Sequence, residues 1–398
     1  MRVLFVTHNV PRHDGDAAGS FVLRLAVALQ AAGARVDIIA PGAEGLAERG
    51  ELEGVMVRRV RYAADRRMTL AYTGTMVEQV RQSWSARFAL VGLLRALRRA
   101  VRESIAEAAR ADDRFDIVHA HWWFPAGLAL WHVRSADPVR SPARVLTMHG
   151  SDVRLAASTP PARALMRAVL DEYAVYTAVS TWLATTIDAM SVRHAVHIAP
   201  MPVDIRHFSI PASDVRNGVL FVGRLNAQKG LADLLRVLAH ASLQALTLDV
   251  VGDGADRDAL MQQAADSGVA TRVRWHGALP QAALVPLYQR AAVLAMPSRE
   301  EGLGLVAVEA QLCGTPVVAY ASGGVVDVVR PDAGGTLVAP GDLEALATAI
   351  QSLTEHPAEA VRLGRLAHDD MLARFSPASV ARQYLGYYRQ AVTAVRSG

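Results

Sequence analysis

The sequence predicts an α/β protein of two Rossmann-like domains facing each other across a cleft. Three observations carry this expectation. The chain has 398 residues, more than one ordinary core accommodates. Short β-type runs alternate with amphipathic helical patterns, the signature of a doubly wound sheet. The alternation then restarts in mid-chain, where "GVLFVGR" (Gly218–Arg224) repeats the Val-Leu-Phe-Val of "RVLFVTH" (Arg2–His8).

In chain order, "RVLFVTH" reads as the first strand, "NVPRHDGDAAGS" as a loop, and "FVLRLAVALQAAG" as a helix. "ARVDIIAP", "DIVHAH", "RVLTMHG" and "YTAVS" are further strands of the first half. In the second half "GLADLLRVLAHA" and the segment after "DGADRDAL" are helices. "LTLDVVG", "RVRWHG", "VLAMPS", "PVVAY" and "GTLVAP" are its remaining strands. The proline-rich "APMPVDIRHFSIPAS" (Ala199–Ser213) breaks the periodicity and marks the boundary. The expected domains are 1–200 and 201–378. A single amphipathic helix over 379–398 is expected to pack back toward the first domain. Ligands of open α/β sheets bind beyond the carboxyl ends of the strands, so the cleft between the domains is the expected substrate site.

Composition narrows the class. With 20% charged and 52% hydrophobic residues the chain is ordered and globular. Its one cysteine, Cys313, excludes an internal disulfide framework and fits a reducing interior. A strand follows Met1-Arg2 directly, so no signal peptide is expected, and no apolar run approaches the roughly 18 residues of a membrane span. A cytoplasmic location is the expectation. A net charge of +4 is too mild to imply nucleic acid.

The charge is uneven. Between Arg58 and Arg102 eleven arginines stand against Asp65 and Glu78, a local balance of +9. A helix from about Gln82 to Val101 puts Leu90, Leu93, Leu94, Leu97 and Val101 on one face. Arg95, Arg98, Arg99 and Arg102 fall opposite, with Trp84 and Phe88 among them. Two readings stay open: a core-facing leucine stripe with a solvated arginine face, or peripheral contact with an anionic inner-membrane surface.

The chemistry-bearing residues gather at strand ends. Lys229 is the only lysine in the chain; it follows Arg224 by five residues in "FVGRLNAQKG". A guanidinium fork and a flexible ammonium together suit a pyrophosphate. In "SREEGLGLVAVEAQLCGTP" (Ser298–Pro316), Gly302 and Gly304 precede a helix expected to begin near Leu305. The free amides and the positive end of the helix dipole form an anion site there. Glu309 lies among Val306, Ala307, Val308 and Ala310; a carboxylate so placed needs a partner, which a ribose diol would supply. Glu301, on the loop and separated from Glu309 by seven residues, can accept from sugar hydroxyls; Glu300 lacks that spacing. Gly19 can bring backbone close to a phosphate. His149, in "TMHGSD" with Gly150 and Asp152, ends a strand facing the cleft. In "HAHWWFPAG", His119 and His121 alternate on a strand end. As metal ligands they lack a carboxylate or cysteine at supporting spacing, which favours a structural or acceptor-cleft role. Trp122 and Trp123 can stack on a sugar or simply pack. No G-x-G-x-x-G opens either half, and "VGDG" is a strand-end turn, so a dinucleotide site is not supported.

At these residues the chain resembles glycosyltransferase family 4, the retaining nucleotide-sugar-dependent enzymes of the GT-B fold. The resemblance spans nearly the whole chain through "EGLGLVAVEAQLCGTPVVA", "FVGRLNAQKG", "VGDG", "LYQRAAVLAMPS", "SGGVVDVV" and "MHGSD". It implies that Glu301 contacts donor-sugar hydroxyls, Glu309 the ribose, and Arg224 and Lys229 the diphosphate. It further implies His149 near the reacting carbon, Gly19 by the phosphates, and the amides of Leu305 and Val306 on the diphosphate. The base would lie along "WHGALP" through backbone contacts, which leaves UDP, GDP and ADP open. Three positions depart from the pattern: Leu303 where phenylalanine is common, Met201-Pro202 before "VD", and Ala18-Gly19 where two glycines are usual.

The implied reaction moves a hexosyl group from a nucleoside diphosphate sugar to a hydroxyl, with retention and without a metal or other cofactor. The leaving phosphate itself would take the acceptor's proton, and domain closure would exclude water. The paired tryptophans and basic segment favour a lipid-linked or polysaccharide glycan, with His121, Trp122 and Asp152 as the acceptor-cleft residues. The alternatives are a nucleotide-sugar isomerase or epimerase on the same fold, and a non-catalytic sugar-nucleotide-binding protein.

Overall fold

The computed structural model describes all residues except 14, 15, 17, 73–75, 134–140 and 398. It divides into two compact units: Met1–Pro202 with Pro377–Gly398 form unit 1, and Val203–Ser376 form unit 2. The division thus falls two residues beyond the expected 200, and the chain returns to unit 1 at Pro377 rather than 379.

Unit 1 holds strands β1 (Arg2–Val6), β2 (Arg35–Pro41), β3 (Arg49–Leu52), β4 (Val55–Val60), β5 (Ile117–His121), β6 (Ala143–Met148), β7 (Val175–Ala178) and β8 (His197–Ile198). They form one sheet in the order β3-β4-β2-β1-β5-β6-β7-β8, parallel throughout except for the antiparallel β3–β4 pair. Val3–Val6 are buried on both faces, which is why this strand reads as an unbroken apolar run. One covering helix, Ser20–Ala31, buries Val22, Leu25, Ala26 and Leu29. The Pro377–Ser397 helix packs beside it and sends Tyr384 and Tyr388 into the core.

The β3–β4 hairpin is absent from the sequence-based expectation. Its turn is Glu53-Gly54, both with positive φ (47° and 81°), a geometry that suits a two-residue hairpin loop. The hairpin also corrects the picture of the basic segment. Arg58 and Arg59 lie on β4; Arg59 is buried and donates to the Pro11 carbonyl at 2.7 Å. The expected Gln82–Val101 helix instead runs from Trp84 to Arg110, behind a Ser83 cap that accepts from the Ala86 amide at 3.4 Å. Leu93, Leu97 and Val101 face the core, whereas Leu90 and Leu94 are only half-buried. Arg98 is not solvated: it donates to the Ala129 and Trp131 carbonyls at 3.0 and 2.9 Å. Among the described residues no helix is long and apolar enough to cross a membrane.

Unit 2 holds β9 (Val219–Val222), β10 (Leu248–Val251), β11 (Val273–Gly277), β12 (Val293–Met296), β13 (Val317–Tyr320) and β14 (Thr336–Val338). Their order is β11-β10-β9-β12-β13-β14, all parallel, the doubly wound order. Its core is aliphatic: Leu231, Leu234, Leu235 and Leu238 of one helix pack with Val219, Phe221, Leu248 and Val250. Each sheet has a topological switch point, at β1/β5 in unit 1 and at β9/β12 in unit 2. Loops leave such a point in opposite directions and open a crevice beyond the strands.

Candidate functional site

In unit 2 the loops after β9 and β12 meet at the switch point. Asn226 caps a single helical turn by accepting from the Lys229 amide at 3.2 Å. Gly230 ends that turn with φ of 73°, and a Cβ there would lie 2.0 Å from the Pro297 carbonyl oxygen. The turn therefore rests directly on the end of β12, and only glycine fits. The stem of Lys229 crosses Gly223, where an added Cβ would lie 3.4 Å from its Cδ. "VGDG" supports the same loop from behind: Gly252 has φ of 135°, and a Cβ there would meet the Gly223 carbonyl oxygen at 1.8 Å.

The second loop is stitched to the first. The Arg299 amide donates to the Gln228 carbonyl at 2.8 Å, and Gln228 Nε2 donates to the Glu300 carbonyl at 3.2 Å. Gly324, after β13, donates its amide to the Glu301 carbonyl at 2.6 Å. Arg299 is anchored on Asp233 (3.0 Å), which also accepts from Tyr320 Oη at 3.0 Å. With the loop so held, the Glu301 carboxylate pairs with Lys229 Nζ, both side chains being under one-fifth exposed. Glu300, by contrast, is exposed, with φ of 53°.

The helix after this loop spans Leu305–Leu312, as the sequence predicts, with Gly304 at φ of 94° as its cap. Ala307 and Val308 make the first helical bonds, to the Gly304 carbonyl, so the Leu305 and Val306 amides precede the ladder and point out of it. Glu309 is buried, but its carboxylate already has partners inside unit 2. Gln281 Nε2 donates to Oε1 at 2.5 Å and Tyr288 Oη to Oε2 at 2.9 Å. The partner that its apolar setting demands is thus supplied by the chain. Burial, and then the neighbouring Glu309 charge, push the Tyr288 hydroxyl far above its usual pKa. Arg224 is exposed and makes no ion pair among the described residues.

In unit 1 the switch-point loops carry a histidine cluster. His121 Nδ1 and His149 Nε2 share a hydrogen bond of 3.1 Å. Trp122 lies against His149, tilted by 36°, at 4.2 Å between ring centres and meets His8 edge-on at 4.3 Å; Phe21 lies 5.2 Å from His149. His119 is structural: Nδ1 bonds Tyr388 Oη and Nε2 bonds Thr147 Oγ1, both at 2.8 Å. Thr147 continues the chain of hydroxyls to Thr177 at 2.7 Å. Burial holds all four imidazoles neutral, taking His8 to about 4 and His121 to about 3, with His119 and His149 well below their usual value. No group of three or more His, Cys, Asp or Glu is placed to hold a metal among the described residues.

Three sequence expectations change here. Asp152, expected in the acceptor cleft, accepts from the His149 and Gly150 amides (3.1 and 3.0 Å) and the Trp123 amide (3.1 Å). It holds the turn that presents His149 and is itself buried. His121 and Trp122, also expected there, are 0% and 6% exposed, because the aromatic cluster covers them. The surface they were expected to offer belongs to His8, Phe21 and His149, which are half-buried. Gly19 has φ of 66°, but the backbone it admits is that of Asn9, whose carbonyl oxygen a Cβ would meet at 2.4 Å. The sequence reading passed over His8 and Asn9; their one signal is their position just past β1. Among the described residues, His8 Nδ1, Asn9 Oδ1 and His121 Nε2 are buried with no hydrogen-bond partner.

Comparison with known proteins fixes the class. Residues 18–207 match the family described as Glycosyltransferase Family 4, and residues 204–369 the one described as Glycosyl transferases group 1. The chain is 33% identical to D-inositol 3-phosphate glycosyltransferase 1 of Catenulispora acidiphila, over 76% of its own length and 78% of the relative's. It is 32% identical to D-inositol 3-phosphate glycosyltransferase of Mycolicibacterium paratuberculosis, over 72% and 69%. In fold it is similar to sucrose-phosphate synthase from Thermosynechococcus elongatus (TM-score 0.77, 24% identity, 99% and 100% of the two chains). It is also similar to Anabaena HepE in complex with UDP (TM-score 0.70, 20% identity, 98% and 100%). The chain is a glycosyltransferase with the two-domain GT-B fold, and it belongs to glycosyltransferase family 4. The isomerase or epimerase alternative is not supported, since these relatives are glycosyltransferases.

Proposed function

We propose that the protein is a retaining, metal-independent hexosyltransferase that uses a nucleoside diphosphate sugar and a hydroxyl acceptor on a glycan or lipid-linked glycan. The observation that carries this reading is the pairing, at the β9/β12 switch point, of Lys229 with Glu301 on the loop that leads into the Leu305–Leu312 helix. Arg224, Lys229 and the amides of Leu305 and Val306 would take up the charge of the departing diphosphate, which gives the reaction its electrophilic assistance from the chain itself. Glu301 would then exchange its lysine for donor-sugar hydroxyls. Gly302 and Gly304 would leave room for the phosphates, and Glu309 would add a ribose contact to those it has. His149 is the residue of unit 1 proposed for a role at the reacting sugar. The leaving phosphate oxygen takes the acceptor proton on the face from which it departs, so the new bond keeps the anomeric configuration. The UDP complex of HepE makes a uridine nucleotide the first donor to try. Peripheral contact with an anionic membrane, through the arginine-rich segment, completes the proposal.

A thermal-shift panel of UDP, GDP and ADP and their sugars identifies the donor, because a ligand that binds the native state raises Tm by mass action. With that donor, the anomeric proton coupling of the product reports stereochemistry, and activity in excess chelator reports metal independence. An inverted product or loss of activity in chelator overturns the corresponding part of the reading. Phosphorylated inositol belongs in the acceptor panel, since the relatives are named for it.

A further inference from the structure

The outer face of the Trp84–Arg110 helix is sorted along its length. Positions 84, 88, 91, 95, 99 and 102 recur at spacings of three and four and so form one stripe. Its first half is apolar and open: Trp84 is 72% exposed, Phe88 76% and Val91 44%. Its second half is Arg95, Arg99 and Arg102, all exposed. The opposite face, with Leu93, Leu97 and Val101, is buried in unit 1. Two large aromatic rings left this bare on one turn of helix are unusual for a folded surface. Trp84 is also held in place. Arg87 lies over the Trp84 ring at 4.3 Å while donating to the Val80 and Arg81 carbonyls at 3.0 and 3.2 Å.

The surrounding charge is one-sided. Glu103 is occupied by both Arg58 and Arg99, and Asp65 by Arg61. Arg66, Arg67, Arg95 and Arg102 are exposed and make no ion pair among the described residues. A face that pairs bare aromatics with unneutralised arginines matches an anionic lipid surface, whose headgroups take the guanidinium groups while the acyl boundary takes the rings.

We propose that this stripe docks on anionic bilayers with the N-terminal end of the helix inserted first. The proposal rests on the peripheral-contact part of the reading above and not on the transfer chemistry. The lengthwise order sets the orientation. At about 1.5 Å per residue, the apolar segment is about 10 Å long and Arg102 lies about 27 Å from Trp84 along the axis. A helix lying flat would bury arginines as deep as tryptophan; an inclined one sinks Trp84, Phe88 and Val91 and leaves the arginines at and above the headgroups.

The test is cosedimentation of the full chain with vesicles of equimolar phosphatidylglycerol and phosphatidylcholine, and with phosphatidylcholine alone. Binding is expected only to the anionic vesicles, and is expected to fall at least tenfold at about 0.5 M salt, where screening is nearly complete over headgroup distances. Trp84→Ser/Phe88→Ser is expected to lose binding at every salt concentration. Arg95→Gln/Arg102→Gln is expected to lose mainly the salt-sensitive part. Lipids brominated near the headgroup are expected to quench tryptophan fluorescence, and Trp84→Phe to abolish the quenching. Equal binding by the aromatic variant, no binding at low salt, or quenching that survives Trp84→Phe overturns the proposal. So does concentration-dependent dimerisation that the aromatic variant abolishes without vesicle binding, which would assign the face to a second copy. Thermal shifts by nucleoside diphosphates, measured on the same variants, are expected to be unchanged, so failure here and failure of the transferase reading are read separately.

Discussion

Lys229 is bonded to Glu301, 72 residues further along the chain. The only lysine and the loop glutamate are therefore partners of each other before either meets a substrate. A diphosphate bound as proposed would compete for the ammonium, and its arrival would release the carboxylate.

This competition separates two variants. Lys229→Ala is expected to weaken nucleoside diphosphate binding at least tenfold and to lower kcat/KM further. Glu301→Gln is expected to leave diphosphate binding unchanged or tighter, because the ammonium is freed, while turnover drops with the lost sugar contact. Calorimetric titration of both variants checks this. Equal weakening by both would make the pair a structural unit rather than a contest. Lys229→Arg is expected to resemble the alanine variant, since a planar fork must follow a stem that already touches Gly223.

Gly230→Ala tests the support beneath that lysine. The added methyl meets the Pro297 carbonyl oxygen at a backbone angle that L-residues rarely adopt. A cost of about 1–3 kcal/mol in unit 2 is expected from strain of this kind, read as a lower Tm together with weaker diphosphate binding. Unchanged binding at a lowered Tm would detach the turn from the site.

Glu309→Gln distinguishes an internal anchor from a ribose contact. The amide keeps one acceptor for Tyr288 but turns a donor toward Gln281, leaving an unmatched buried pair at a cost of about 1–3 kcal/mol. Stability without ligand is expected to fall by that order. A ribose role adds weaker affinity for the nucleoside diphosphate relative to inorganic pyrophosphate, and an unchanged ratio would leave Glu309 purely structural.

The histidine cluster predicts a pH dependence. In the unfolded chain these imidazoles take up protons near pH 6.5, whereas His8 does so in the fold only near 4 and His121 near 3. Below about 6.5 the unfolded state binds more protons, so stability present above that pH is lost as the pH falls. Tm is expected to decline between about pH 6.5 and 4, and His121→Gln to flatten part of the slope. A level profile would mean that the cluster is hydrated.

Much of this was legible in the residues. The central strands of unit 1 and the strands of unit 2 announce themselves because parallel strands covered on two faces are unbroken apolar runs. The glycine-led helix after β12 is legible because Gly304 and Leu305 satisfy local capping rules. Pairings across the sheet are not local. The Lys229–Glu301 bond depends on β9 and β12 being neighbours, and the occupation of Glu309 depends on Gln281 and Tyr288 from another helix. Asp152 looked like a cleft carboxylate because its sequence setting does not show that three amides converge on it. The β3–β4 hairpin was hidden by charge: arginines and glutamates on an edge mask the alternation by which strands are read.

The return of the chain to unit 1 sets an order of manufacture. Unit 2 is complete as sequence once Ser376 has left the ribosome. Unit 1 begins first but still lacks Tyr384 and Tyr388 at that moment. His119 waits 269 residues for the hydroxyl that satisfies its Nδ1. The earlier-made unit is thus the later one to be finished, and its histidine core is sealed only after all of unit 2 has been translated.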